Sequence, residues 1–148
     1  METLNSVLED VVHLTDIKEF YGEDGAYARP ERLNQDNVPL QDVVKWYFGS
    51  TLAFHVYDTI VLLMPTNPWI EKEDIQKALL LYDKGKFNIL RSYSSIDSTE
   101  NGLYVIDIDY LLSNDYSYDV HTGGIMCPGF EIHTEEDYNL AKQCLEGK

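Results

Sequence analysis

Residues 59–68 read Thr59-Ile60-Val61-Leu62-Leu63-Met64-Pro65-Thr66-Asn67-Pro68. The first five form a short apolar run rich in β-branched residues. Asp58 precedes it and two prolines follow. That pattern predicts a strand buried on both faces, of the kind found in parallel sheets. Pro65 and Pro68 forbid its continuation, so the chain leaves as a rigid loop at the strand's carboxyl end. In open α/β sheets that edge is where ligands bind.

Downstream, the acids of Glu71-Lys72-Glu73-Asp74 suit the positive end of a helix. Ile75, Ala78, Leu79 and Tyr82 give that helix an inner face, and Gly85 is a natural stop. Residues 88–93 predict a strand, 92–100 a polar loop, 103–108 another strand and 109–112 one helical turn. Residues 113–122 are polar and tyrosine-rich and suggest no element. Three glycines and a proline make 123–129 irregular, before a last short strand over 130–132. Thr134, with Asp137 three residues on, opens a final helix. Its buried stripe is expected to be Tyr138, Leu140, Ala141, Cys144 and Leu145.

Upstream, Leu4, Val7, Leu8, Val11, Val12 and Leu14 recur on roughly one helical face, predicting a helix over 4–20. Residues 26–29 read as a short extended piece, because Pro30 pushes Arg29 out of the α region. Pro39 opens a second helix carrying Leu40, Val43, Val44, Tyr47 and Phe48, which runs to about Ala53. Helices and strands alternate. The expected fold is therefore one α/β domain over 1–148, three-layered and Rossmann-like, with a mainly parallel sheet.

The chain has 148 residues, 44% of them hydrophobic, enough for a proper core. Its formal net charge is −15, from 26 acidic and 11 basic residues. Such a surface repels nucleic acid and anionic membranes, so neither is an expected partner. Cys127 and Cys144 make no disulfide framework and no metal spacing, and are expected to be free thiols. No signal peptide or spanning segment is visible, which makes the expected location cytoplasmic.

Several stretches, in order, resemble the acylneuraminate (sialic acid) cytidylyltransferases. Arg29-Pro30-Glu31-Arg32-Leu33 is similar to their Arg-Pro-x-x-Leu segment. Leu62-Leu63-Met64-Pro65-Thr66-Asn67-Pro68 resembles their Leu-Leu-Gln-Pro-Thr-Ser-Pro motif. Asn101-Gly102-Leu103-Tyr104 resembles an Asn-Gly-x-x-Tyr strand. Residues 130–137, Phe-Glu-Ile-His-Thr-Glu-Glu-Asp, resemble an Ile-Asp-Ile-Asp-Thr-x-x-Asp ending.

The resemblance implies a nucleotidyltransferase fold that joins CMP from CTP to a sugar acid, releases pyrophosphate and uses Mg²⁺. It places nucleotide or sugar contacts on Arg29, Met64, Thr66, Asn67 and Asn101, and the metal carboxylates on Glu131 and His133.

The departures are equally plain. Relatives begin with a strand and a glycine-rich loop bearing Lys and Arg, whose amides and cations hold the triphosphate. Residues 1–15 contain no Gly, Lys or Arg. Met64 replaces a glutamine and Asn67 a serine. His133 replaces a carboxylate, and imidazole is a poor Mg²⁺ ligand.

The expected protein is a truncated, degenerate cytidylyltransferase-like binding or interaction module. On its own it transfers no nucleotide and has no cofactor, Mg²⁺ entering only if it is active. The alternatives are an active enzyme completed by another chain and a purely structural module. Expected partners are CMP, CTP or a sugar acid, a partner enzyme chain, or a second copy. Other readings stay open beside these. The plainer readings are a surface arginine ahead of a proline at Arg29 and turn-formers at Thr66 and Asn67. Glu131 and His133, two apart on a strand, share a face, but two ligands make a weak metal site.

Overall fold

The computed structural model describes residues 13–15, 26–51, 57–113 and 121–147. The chain forms two compact units. One comprises Met1–Asp58 with Ile108–Asn114, and the other Thr59–Asp107 with Asp115–Lys148.

In the first unit, β1 (His13–Thr15) pairs in parallel with β2 (Ala26–Ala28). The helix expected over 4–20 is thus corrected at 13–15, where the chain is extended. The β-branched Val11 and Val12 just ahead favour strand over helix. The rest of that span lies outside the described residues. A 3-10 turn, Glu31–Leu33, follows Pro30. Helix α1 (Leu40–Thr51) starts directly after Pro39. Val43, Val44, Tyr47 and Phe48 are buried on it at helical spacing. The Tyr47 and Phe48 rings meet edge to face, 5.3 Å apart. α1 contacts the short helix α3 (Ile108–Leu112), which buries Ile108 and Leu111.

The second unit is an α/β body built on an open, mixed four-stranded sheet. Its strands are β3 (Thr59–Leu63), β4 (Ile89–Ser94), β5 (Glu100–Asp107) and β6 (Thr122–Cys127), in the order β3-β5-β4-β6. β5 pairs antiparallel with both β3 and β4, and only β4 and β6 pair in parallel. The expected mainly parallel sheet is therefore corrected to mostly antiparallel pairing. The cause is local. The turn after Ser94 returns the chain at Glu100, and a connection that short permits only an antiparallel hairpin. Ser94 N–H donates to Thr99 O at 2.7 Å to close it, and Ser98 takes a left-handed φ of 61°.

β3 is an outer strand of this sheet with every residue only half-buried, not the doubly buried strand its apolar run suggested. Periodicity cannot tell these cases apart over five residues. The central strands carry the core: Leu90, Leu103 and Val105 are fully buried on one face. Helix α2 (Lys72–Gly85) packs on the sheet and buries Ile75 and Ala78. Asp74 Oδ2 accepts the Glu71 N–H at 2.9 Å at its start. The helix does end at Gly85, but Lys86, at φ 53°, takes the left-handed position. Gly85 serves instead to admit the Phe87 ring, which a Cβ there would strike.

β6 corrects the irregular reading of 123–129. Its glycines lie under aromatic rings. A Cβ at Gly123 would fall 2.6 Å from the Phe87 ring, and one at Gly124 3.1 Å from Tyr93. The bare backbone is a packing surface there. Residues 130–132, expected as a strand, form no ladder. Pro128-Gly129 before them and the helix cap after them leave room only for Ile132 N–H to donate to Thr66 O at 2.8 Å. Helix α4 (Glu135–Glu146) follows, with a complete capping box between Thr134 and Asp137. Of its expected buried stripe only Ala141 is buried, while Tyr138, Leu140, Cys144 and Leu145 are exposed. Among the described residues no helix is long and apolar enough to cross a membrane.

Candidate functional site

The sheet gathers four chain ends at one edge of the second unit: the carboxyl ends of β3, β4 and β6 and the amino end of β5. That topology brings Met64, Thr66, Asn67, Asn101, Glu131 and His133 into one unit, and hydrogen bonds tie several together. Arg29 belongs to the first unit, half-buried just after β2.

Asn101 is the centre of a buried polar network. Its Oδ1 accepts the Ser92 hydroxyl, and its Nδ2 donates to Cys127 O at 3.3 Å and Pro128 O at 3.4 Å. Its own carbonyl accepts from Asn67 Nδ2 at 2.9 Å. Asn67 Oδ1 accepts the Trp69 N–H at 3.0 Å, closing the loop after β3. Ser92 Oγ also accepts the Leu103 N–H at 3.0 Å. Asn67, Ser92, Asn101, Leu103 and Cys127 are buried, so their polar atoms must be met internally. The amides of Asn67 and Asn101 are thus spent on joining β3, β4, β5 and the chain after β6.

Glu131 lies nearer the surface. Its Oε1 accepts from Thr66 Oγ1 at 3.0 Å, and its Oε2 accepts from His133 Nε2 at 3.1 Å. The carboxylate lies over Gly102, whose φ is 92° and where a Cβ would meet Glu131 Oε1 at 2.8 Å and Met64 Cβ at 3.0 Å. Glycine is thus required at 102 both by backbone and by the approach of Glu131. Among the described residues no three His, Cys, Asp or Glu side chains are grouped to hold a metal. Glu131 and His133 form a two-membered pair bonded to each other.

Beside this pair runs an open groove of about 600 Å³. The β4–β5 turn supplies Ile96, Asp97 and Glu100, the chain before α4 supplies Phe130 and Glu131, and α4 supplies Asp137, Leu140 and Cys144. Its acids are held ionised or engaged. Asp97 Oδ1 accepts from the N–H and hydroxyl of Thr99, which pulls its pKa below the usual carboxylate value. Asp137 is lowered by the backbone N–H of His133, then by Thr134. Glu100 faces Arg91 Nε at 3.5 Å and accepts from the Tyr104 hydroxyl at 3.1 Å. Burial first, and Glu100 second, raises the Tyr104 pKa and keeps that phenol protonated. Cys127 is buried and its thiol is pushed up to about 11 by burial, which leaves it unreactive.

Because the folded pKa of Asp137 lies below its unfolded value, its contribution to stability is complete above the unfolded value. It is lost as pH falls through the folded one. In an acid titration followed by NMR, the Asp137 carboxyl is expected to protonate below an ordinary Asp. In Asp137→Asn, part of the acid-induced loss of stability should disappear.

Of the groove's wall residues the sequence singled out Glu131 and His133 as site candidates, and not Asp97, Glu100 or Leu140. Asp97 and Glu100 sat in what read as plain loop, and Leu140 in a stripe assigned to the core. The available signal was spacing. Leu140 follows Asp137 by three and precedes Cys144 by four, so all three share one helical face. Comparison of the chain with protein-family models and with curated proteins found no match.

Proposed function

We propose that this chain is a degenerate cytidylyltransferase-like module that binds a ligand or partner and does not transfer nucleotides by itself. On this reading its fold is a nucleotidyltransferase fold, three-layered and Rossmann-like. In support, β3, β4 and β6 run in one direction, with α2 between β3 and β4 in the chain.

The observation that carries the functional reading is the charge of the groove. Asp97, Glu100, Glu131 and Asp137 line it, and among the described lining residues His133 is the one basic side chain. A nucleoside triphosphate is strongly anionic, and its transfer needs cations and donors aimed at developing charge. Met64 and His133, standing where the resembling family has an amide and a carboxylate, point the same way. Removing one such stabilising group typically costs about 100- to 1,000-fold in rate.

Purified protein given CTP, a sialic acid and Mg²⁺ is expected to release no pyrophosphate above background. Sustained release dependent on Glu131 overturns the reading.

One observation favours the alternative of an active sugar-acid cytidylyltransferase completed by another chain. Thr66 and Glu131 still meet at the carboxyl end of β3, 3.0 Å apart. On that alternative, mixing with the completing chain restores turnover. The purely structural reading is favoured at Asn67 and Asn101, whose side-chain polar atoms are taken up by backbone groups and the Ser92 hydroxyl.

A further inference from the structure

We infer that the groove between the β4–β5 turn and α4 docks a basic, amphipathic segment of a partner protein, one that carries Lys or Arg beside a stripe of apolar side chains. This deepens the binding reading above and names the partner's chemistry.

Two observations meet in it. The first is an apolar surface that no described residue covers. Leu140 is 50% exposed, on a helix that buries only Ala141. Across the groove Ile96, at the tip of the turn, is 71% exposed. Phe130 and Cys144 complete the apolar lining. Large apolar side chains grouped around a concavity, and not scattered singly, mark an interaction site. The groove is of ligand-binding size and partly open to solvent. That suits the side chains of a segment laid into it better than a small molecule enclosed on all sides.

The second observation is charge. Asp97, Glu100, Glu131 and Asp137 line the same groove. Glu100 already faces Arg91 at 3.5 Å and Glu131 the His133 ring at 3.1 Å, whereas Asp97 and Asp137 are kept ionised by hydrogen bonds from backbone and hydroxyl groups and are left to meet a cation from outside. Complementarity therefore selects a cationic partner. A second copy of this chain is the poorer occupant, because each copy brings a net charge of −15 to the contact.

The test is a titration of the full chain with a fluorescein-labelled Leu/Lys peptide whose leucines recur at helical spacing. A peptide of the same composition with the order scrambled serves as control. The striped peptide is expected to bind at least about tenfold tighter than the scrambled one, and more weakly as salt rises. Leu140→Ser and Ile96→Ser are each expected to weaken it about tenfold. Leu80→Ser removes a leucine that is 72% exposed on α2 outside the groove, and should leave binding unchanged. These substitutions replace exposed side chains, so folding is retained and is checked by circular dichroism.

Equal binding of both peptides, no binding, or indifference to Leu140→Ser overturns the inference. So does a dimer in sedimentation that Leu140→Ser dissociates, which would assign the groove to a second copy. Pyrophosphate release is measured on the same preparation. Turnover would sink the non-catalytic reading whatever the peptide does, whereas a failed titration without turnover sinks only the docking inference.

Discussion

Asn101→Ala is expected to destabilise the protein by about 3 kcal/mol, the sum of several buried groups left unmet at about 1–3 kcal/mol each. The alanine removes the acceptor of the Ser92 hydroxyl and the donor shared by Cys127 O and Pro128 O. All of this happens where Asn101 and Ser94 have no exposure and Ser92 almost none. For a chain of this length each kcal/mol lowers Tm by roughly 2–4 °C, so thermal unfolding should move down by roughly 6–12 °C. Asn101→Asp sharpens the test. It keeps the size and the acceptor but turns a carboxylate oxygen toward two carbonyls where an N–H₂ had donated. It should therefore be worse than alanine. If aspartate is tolerated better than alanine, the network does not hold the strands together as described.

Gly129→Ala is the second substitution with a large expected effect. Gly129 has φ 77°, where an L side chain costs roughly 1–2 kcal/mol. Its Cβ would also fall 2.5 Å from two atoms of the Trp69 indole, a rigid ring that must be displaced bodily. Overpacking of that kind adds roughly 1–3 kcal/mol, giving a total near 3 kcal/mol. The damage is expected to travel. Trp69 packs on Phe130 with ring centroids 4.6 Å apart, and Phe130 lines the groove. A fall in Tm should accompany a change in the near-ultraviolet signal of the indole and weaker binding of the striped peptide. A Gly129→Ala protein as stable as the parent, with an unaltered indole signal, would show that the ring is not seated there.

The elements that were legible in the sequence are those announced by local chemistry. Pro39 and Leu40 opened α1, the acids from Glu71 to Asp74 opened α2, and Thr134 with Asp137 opened α4. β3 was bounded by Asp58 and Pro65. Each of these signals acts within a turn or two of the residue that carries it.

What was not legible depends on distant partners. Gly123 and Gly124 read as loop residues because nothing nearby in sequence shows that Phe87 and Tyr93 cover them. The stripe on α4 announced an amphipathic helix correctly, but amphipathicity does not say whether anything covers the apolar side. Ser94 to Glu100 read as loop without the hairpin it makes, and the hairpin is what reversed the expected direction of pairing. At the site, the spacing of Thr66, Asn101 and Glu131 gave no hint that Asn67 and Asn101 turn inward to the backbone while Glu131 faces the groove. Those orientations are set by Ser92, Cys127 and Pro128, which come from other strands and loops.

The insertion of β5 between β3 and β4 has a bearing on biosynthesis. A growing chain delivers β3, α2 and β4 before the strand that joins them exists. β3 then emerges from the ribosome as a bare apolar ribbon whose ladder partner is completed only at Asp107. Until then its main-chain groups are open to any other strand, including those of a neighbouring nascent chain. The separation of β3 and β5 in the chain thus sets an interval during synthesis in which this edge has no partner of its own.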